Sequence, residues 1–84
     1  MNKYYFHFCE GEHTVEDRVG MYLPDLEAAK AEATRTVLDV AALTAEGSRF
    51  PDCSVRIADA SGAVLLTIRL DPAGDISVEN SGLV

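Results

Sequence analysis

Histidine and cysteine are the side chains in this sequence that could bind a metal ion or act in nucleophilic catalysis. The candidates are His7, Cys9, His13 and Cys53. His7 and Cys9 would share one face of a strand, and a neighbouring strand could supply a third ligand. A zinc site usually needs three or four ligands of fixed geometry, however, and the sequence has no CxxC or HExxH spacing. We therefore expect no metal and no cofactor, and we interpret both cysteines as small buried side chains.

Catalysis by a cysteine or by carboxylates is only weakly indicated. A reactive thiolate needs a nearby cation or helix N-terminus to lower its pKa, and no Asn or Asp stands out to orient His7 beside Cys9. Carboxylates act as general acids and bases inside clefts, whereas those of this chain cluster around a predicted turn. The phosphate-binding glycine loops and the GxSxG motif are absent as well. We expect that the protein is not an enzyme.

The first part of the sequence predicts a hairpin. Residues 3–10 alternate as a strand does, with Tyr4, Phe6 and Phe8 on one side and Tyr5, His7 and Cys9 on the other. A polar turn centred on Gly11 follows, and residues 14–18 return as a weaker second strand. Residues 20–24 are predicted to be an extended connector, because Leu23 precedes a proline.

A long helix is predicted from Asp25 onward. The Asp25 carboxylate can accept from the free N–H groups of the first turn, which makes this residue the predicted helix cap. Residues 26–45 lack Gly and Pro and contain seven alanines, a composition that favours helix. Gly47 is placed to end it. The spacing predicts one buried stripe, formed by Leu26, Ala29, Ala33, Val37, Val40, Ala41 and Thr44.

A second hairpin is predicted after the helix. Its strands are residues 53–58 and 64–70, joined through the turn from Asp59 to Gly62. The side chains expected to point inward are Cys53, Val55, Ile57, Val64, Leu66, Ile68 and Leu70. We expect one domain over residues 1–70, with residues 71–84 either a weak edge strand or a mobile tail.

The predicted fold is α+β with the order β-β-α-β-β, a four-stranded antiparallel sheet with one long helix packed on one face. One helix covers only one face of such a sheet. The other face, called the open face below, is therefore the predicted interaction surface. The side chains expected there are Tyr5, His7, Arg56, Leu65, Thr67 and Arg69, with Cys9 beside them.

The charge balance excludes several classes of partner. Fourteen acidic against seven basic residues give a net charge of −7, which argues against nucleic-acid binding and against a polybasic membrane anchor. The first residues resemble a strand rather than a secretory signal, and no apolar run approaches the roughly 20 residues of a membrane helix. We expect a cytoplasmic protein.

The opening aromatic strand and the segment from Asp17 to Leu26 carry a family resemblance. Asp17-Arg18-Val19-Gly20 leads through Leu23-Pro24-Asp25-Leu26 into an alanine-rich helix. This order is similar to a family of short bacterial proteins known as a domain of unknown function, over about residues 3–70. The final hairpin turn, Asp59-Ala60-Ser61-Gly62, fits the same pattern. The family has no assigned activity, so the resemblance implies a fold and no catalytic residues.

A looser resemblance is to HicB-type antitoxins, which also pass from a hairpin through a Pro-Asp-Leu segment into a helix. Those proteins are acidic partners that mask a small basic toxin, commonly with a separate DNA-binding segment for which this chain is too short. The resemblance implies a possible role and not a site.

Three functional hypotheses remain open. The first is a non-enzymatic domain that acts through protein contact as a homodimer, because one helix leaves a sheet face and an edge uncovered. The second is an acidic antitoxin-like or regulatory module that masks a basic protein partner. The third is a small-ligand or metal-binding domain.

Overall fold

The computed structural model describes residues 1–44 and 52–80. Within that part of the chain, one helix packs on an antiparallel sheet of six strands. The predicted α+β class is confirmed, but the predicted four-stranded sheet is too small. In chain order the elements are β1 (Asn2–Glu10), β2 (His13–Val15), β3 (Met21–Leu23), α1 (Leu26–Thr44), β4 (Cys53–Ala58), β5 (Val64–Leu70) and β6 (Ile76–Asn80).

The sheet has the order β2-β1-β4-β5-β6, and β3 pairs with the start of β1. β3 lies where the sequence shows no alternation, whereas β6 is short and alternates only through Ile76 and Val78. β3 occupies the predicted connector, where the residue before Pro24 is extended and Leu23 pairs with Asn2. β6 lies in the segment after residue 70 and pairs with β5 from Ile76 to Asn80. It corresponds to the edge-strand alternative for this segment, whose last residues, 81–84, lie outside the described part.

The predicted second strand over residues 14–18 is wrong in its extent. β2 ends at Val15, and residues 16–20 form a loop before the chain returns to β1 as β3. The physical reason is the Asp17 side chain, which binds backbone N–H groups and takes the place of strand pairing there.

The core lies between α1 and the sheet, on the face that the alternation predicts. Phe6 is paired with Ile57 and Phe8 with Val55, so the two phenylalanines lie on the same face as the buried residues of β4. Both are partly buried and pack against the core cluster, while Ile57 is 0% exposed. The buried members of the cluster are Tyr4, Ala29, Ala33, Val37, Ala41, Cys53, Val55, Ile57, Leu66, Ile68 and Leu70.

The helix begins where the sequence predicts. Asp25 Oδ1 accepts the Ala28 N–H at 2.9 Å, which is the geometry of an N-cap. Alanines at positions 29, 33 and 41 are buried, and their small side chains let the helix axis approach β4 and β5 closely. The predicted helix end at Gly47 lies outside the described residues.

The placement of Leu65 on the open face needs correction. The β4–β5 register shifts between Ile57 and Ala58, so that Ala58 pairs with Val64 and Leu65 is the extra residue of a bulge. Leu65 packs against the core cluster. Val64 was expected to point inward. Instead it pairs with Ala58, which pairs with Tyr5, so its register position is on the side of the open face.

No helix within residues 1–44 and 52–80 combines the length and the hydrophobicity needed to cross a membrane.

Candidate functional site

Strand pairing brings the predicted open-face residues into two adjacent rows across the sheet. The first row runs from His7 through Arg56 and Thr67 to Glu79. The second runs from Cys9 through Ser54 and Arg69 to Ser77. Because neighbouring strands lie about 4.8 Å apart, side chains within a row are in direct reach of one another. Five of the residues predicted for this face therefore lie side by side in the two rows: His7, Cys9, Arg56, Thr67 and Arg69.

These rows form the floor of a polar cavity with a volume of ≈ 260 Å³, called the central pocket. Side chains from both arginines and from two acidic residues converge there. The lining residues are Cys9, Gly11, Asp52, Ser54, Arg56, Thr67, Arg69 and Glu79.

The two arginines of the central pocket differ in their electrostatic partners. Arg69 Nε lies 3.5 Å from Asp52 Oδ1, and Arg69 Nη1 lies 4.0 Å from Glu79 Oε2. Arg69 is thus balanced by two carboxylates. Arg56 makes no ion pair with any described residue, and its guanidinium remains available in the cavity.

Tyr5 and His7 border a second, smaller cavity with a volume of ≈ 210 Å³ on the same face. It lies beside the β4–β5 turn, with Glu16 and Asp59 among its lining residues. Lys3 Nζ lies over the rings of Tyr5 and Tyr22, 5.5 Å and 5.4 Å from their centroids. The Lys3 ammonium is therefore engaged in cation–π contacts.

His7 and Asp17 are joined by a hydrogen bond that the sequence analysis did not foresee. The Asp17 N–H donates to His7 Nδ1 at 3.1 Å. The Asp17 carboxylate accepts the N–H groups of Phe6, Val19 and Gly20, each at 3.0 Å. The Nδ1 atom of His7 therefore accepts a hydrogen bond that helps to fix the loop between β2 and β3.

The pKa of Asp17 reflects these contacts. Burial of the carboxyl raises its pKa, but the hydrogen bonds from the N–H groups of Gly20, Phe6 and Val19, together with the electrostatic effect of His7, lower it by a larger amount. The net result is a pKa below the ordinary value of 3.8. Hydrogen bonds to the charged form stabilise the carboxylate.

The same Asp-x-x-Gly turn occurs three times in the described residues. Asp59 Oδ1 accepts the N–H groups of Ser61 and Ala63, and the glycine of that turn, Gly62, has φ +92°. Asp71 Oδ1 accepts the N–H groups of Ala73 and Asp75 in the turn that ends at Gly74. Together with the Asp17 loop, these turns join β2 to β3, β4 to β5, and β5 to β6. The repeated Asp-x-x-Gly pattern therefore has a structural role.

The four candidate metal ligands are not brought together. Cys9 and Cys53 lie on opposite faces of the sheet, since Cys9 lines the central pocket whereas Cys53 belongs to the core cluster. No group of three or more His, Cys, Asp or Glu side chains with metal-binding geometry occurs among the described residues. Burial raises the pKa of the Cys53 thiol, and the nearby carboxylates of Glu10 and Asp52 raise it further. A raised pKa disfavours the reactive thiolate.

The outer face of α1 carries a larger concavity, with a volume of ≈ 480 Å³. Every lining residue belongs to this one helix, so the described residues supply only a shallow surface there. Lys30 and Arg35 of this lining are ion-paired along the helix, with Glu27 and Glu32 respectively. The central pocket, which several strands build together, is the stronger candidate site.

The fold and the open face define a class of protein: a small α+β domain whose antiparallel sheet is covered by a helix on one side. The chain belongs to the family "Domain of unknown function (DUF6894)", whose model matches residues 3–71. This confirms the resemblance to a family of unknown function. No curated protein and no solved structure matches the chain.

The residues of the open face and its edge that escaped the sequence analysis include Asp52, Ser54, Glu79, Tyr22 and Asp17. Glu79 enters the face because β6 joins the sheet, and Tyr22 because β3 does. Asp17 could have been found from the Asp-x-x-Gly pattern that it shares with the Asp59 turn, since Asp side chains commonly bind backbone N–H groups in turns.

Proposed function

We propose that this protein is a non-enzymatic protein-contact domain that forms a homodimer, with β6 as the edge through which two copies meet. The observation that carries the proposal is the exposure of this strand: every residue from Ile76 to Asn80 is exposed, although β6 pairs with β5 along its whole length. Ile76 and Val78 are 37% and 42% exposed. Exposed edges with apolar side chains are normally covered in native proteins.

The helix leaves these two side chains uncovered. Ile76 pairs with Leu70 and Val78 with Ile68, so both lie on the same side of the sheet as α1. The helix packs mainly against β4 and β5. An apolar strip thus continues from the core onto an uncovered strand, and a second copy of β6 can cover it with the same residues.

The opposite edge of the sheet is less suited to pairing. It consists of β2 and β3, each three residues long, and the Asp17 loop separates them. Short and interrupted edges are a common means of preventing strand addition. β6, by contrast, offers five consecutive residues.

The open face is also less suited to a dimer contact than expected. Its centre is a polar pocket with two arginines, and Leu65 lies against the core instead of adding apolar area there. The edge therefore becomes the proposed contact, and the face stays free for other uses.

A two-fold axis would pair β6 with its own copy in antiparallel fashion. Centred on Val78, this arrangement brings the two Val78 side chains together and sets Glu79 of the second copy beside Ser77. Ser77 is the neighbour of Arg69 on β5. Because Arg69 already has Asp52 and Glu79 of its own chain beside it, the apolar contact between the two Val78 side chains has to outweigh the repulsion between two chains of charge −7.

Light scattering at micromolar concentration and moderate salt tests this proposal. We expect the mass of a dimer for the native chain and that of a monomer for Val78→Lys. The matched control is Leu43→Lys, which places the same charge at a helix position that is 86% exposed and should leave the dimer intact. A monomeric native chain, or a folded Val78→Lys variant that is still dimeric, would contradict the β6 dimer.

A monomer would favour the second candidate, an acidic module that masks a basic protein. The net charge of −7 supports this alternative, because electrostatic complementarity speeds the encounter of oppositely charged proteins. A third candidate, binding of a small ligand, involves the central pocket, to which the edge strand contributes only Glu79.

We further propose that the protein is cytoplasmic and has no catalytic site, and the state of its histidine and cysteine side chains supports both. His7 is engaged with Asp17, and Cys53 lies in the core with a raised pKa. Both cysteines are free thiols, as is usual in the reducing cytoplasm.

A further inference from the structure

We propose that the central pocket binds a small organic monoanion, with its carboxylate on the guanidinium of Arg56. This site includes one residue of β6, Glu79, on the opposite side of the strand from Val78, and the inference does not depend on dimerisation. It assigns a ligand class to the polar face that the helix leaves open.

Three hydrogen-bond donors converge in the pocket without partners among the described residues. Arg56 and Thr67 are cross-strand neighbours, and Ser54 is two residues before Arg56 on the same face. All three residues line the cavity, and none of their side chains has a hydrogen bond or ion pair to a described residue. A guanidinium fork flanked by hydroxyl donors matches the two oxygens of a carboxylate.

The surrounding charges favour a ligand with one negative charge. The four charged residues of the lining sum to zero. Asp52 and Glu79 are both paired with Arg69, however, so Arg56 is the one cation of the lining without an ionic partner among the described residues. A single carboxylate would pair with it directly. Polyanions would meet the two carboxylates in the pocket and a chain of net charge −7, both of which repel them.

The size of the pocket favours a ligand of a few carbon atoms. Its volume of ≈ 260 Å³ is just under the roughly 300–1,000 Å³ of sites for drug-sized molecules. The carboxylates of Asp52 and Glu79 retain oxygens that can accept from a ligand hydroxyl. A hydroxy monocarboxylate therefore uses both kinds of group in the pocket.

The test is an NMR titration of ¹⁵N-labelled protein with sodium lactate, methyl phosphate and sodium chloride at matched ionic strength. We expect lactate to shift the amide signals of Ser54, Arg56 and Thr67 saturably, and methyl phosphate, which carries more negative charge, to bind more weakly. Arg56→Gln should weaken lactate binding about tenfold or more, since it removes a charge-assisted hydrogen bond. Arg18→Gln is the matched control: the Arg18 side chain is 86% exposed and 3.9 Å from Glu16, and its loss should leave binding unchanged.

Equal shifts with chloride, or lactate binding that Arg56→Gln leaves unchanged, would overturn the proposal. Tighter binding of methyl phosphate than of lactate would overturn the carboxylate assignment. If Arg56→Gln fails to fold, Thr67→Val removes one donor at nearly constant volume and should still weaken lactate binding. Val78→Lys should retain it, which separates this result from that of the dimer proposal.

Discussion

The carboxylate of Asp17 accepts the backbone N–H of Phe6 at 3.0 Å, across eleven positions of sequence. Its other oxygen accepts from Val19 and Gly20, while its own N–H donates to His7. The Asp17 side chain therefore takes the place of a strand partner for β1 in the gap between β2 and β3. It satisfies a backbone donor of β1 that strand pairing leaves open.

The first prediction concerns the pH dependence of the Asp17 loop. The pKa of Asp17 lies below 3.8 in the folded state, so its contribution to stability is present above pH 3.8 and is lost as the pH falls through the lowered value. Asp17→Asn should lower the free energy of unfolding at pH 7 by about 1–3 kcal/mol. The difference from the native chain should narrow below about pH 4. Urea unfolding at a series of pH values measures it.

Glu12→Gln is the control for this series, since Glu12 is an exposed acidic residue of the neighbouring turn. Its stability curve should run close to that of the native chain. Parallel curves for Asp17→Asn and the native chain across the acid range would contradict the role of the ionised carboxylate.

A second prediction compares two glycines with positive φ. Gly20 has φ +77°, and a Cβ there would lie 2.8 Å from Lys3 Cε and 3.2 Å from the Tyr4 carbonyl oxygen. Gly11 has φ +58° with nothing within 4 Å of the same position. Gly11→Ala should cost about 1 kcal/mol for the backbone conformation alone. Gly20→Ala should lower the free energy of unfolding by clearly more than Gly11→Ala, because the added Cβ would also collide with β1. Equal thermal unfolding midpoints for the two variants would show that β1 does not limit the size of residue 20.

A third prediction concerns the helix cap. Asp25→Ala should lower the free energy of unfolding by about 0.5–2 kcal/mol, because the Ala28 N–H loses its acceptor. Asp39→Ala removes the same charge from an exposed helix position and should have little effect. Chemical denaturation of both variants gives the comparison, and coincident curves would rule out capping as the source of the Asp25 contribution.

The fourth prediction separates the core from the edge. Ile57 is 0% exposed between the helix and the sheet, so Ile57→Ala should cost about 2–5 kcal/mol. Val78→Ala at the exposed edge should change the stability of the monomer by no more than about 0.5 kcal/mol. Measurement at protein concentrations well below dimer formation keeps association out of the result. A large effect at Val78 under those conditions would place β6 within the folding core.

The helix and the buried faces of the strands packed against it could be predicted because both follow from the local spacing of apolar residues. The buried alanines at 29 and 33 follow the period of a helix, and Phe6 and Ile57 follow the period of a strand. Both patterns depend on residues a few positions apart. Asp25 was recognisable for the same reason, because its acceptor serves a donor three residues away.

The remaining features depend on contacts that local spacing does not contain. Leu65 turned inward because a bulge in the pairing with β4 shifted the alternation by one residue. β6 forms in a mostly polar segment because the backbone groups along the edge of β5 can pair with it. The central pocket required β4, β5 and β6 to pair in one register before Arg56, Thr67 and Glu79 could share a row.

Sequence by itself thus determined the α+β class, the helix with its cap and the buried face of the first strand, all of which follow from periodicity and turn chemistry. Tertiary structure decided the number of strands, the Asp17 loop and the composition of the open face. The physical reason is that strand register and side-chain-to-backbone hydrogen bonds between distant positions form only when the sheet assembles.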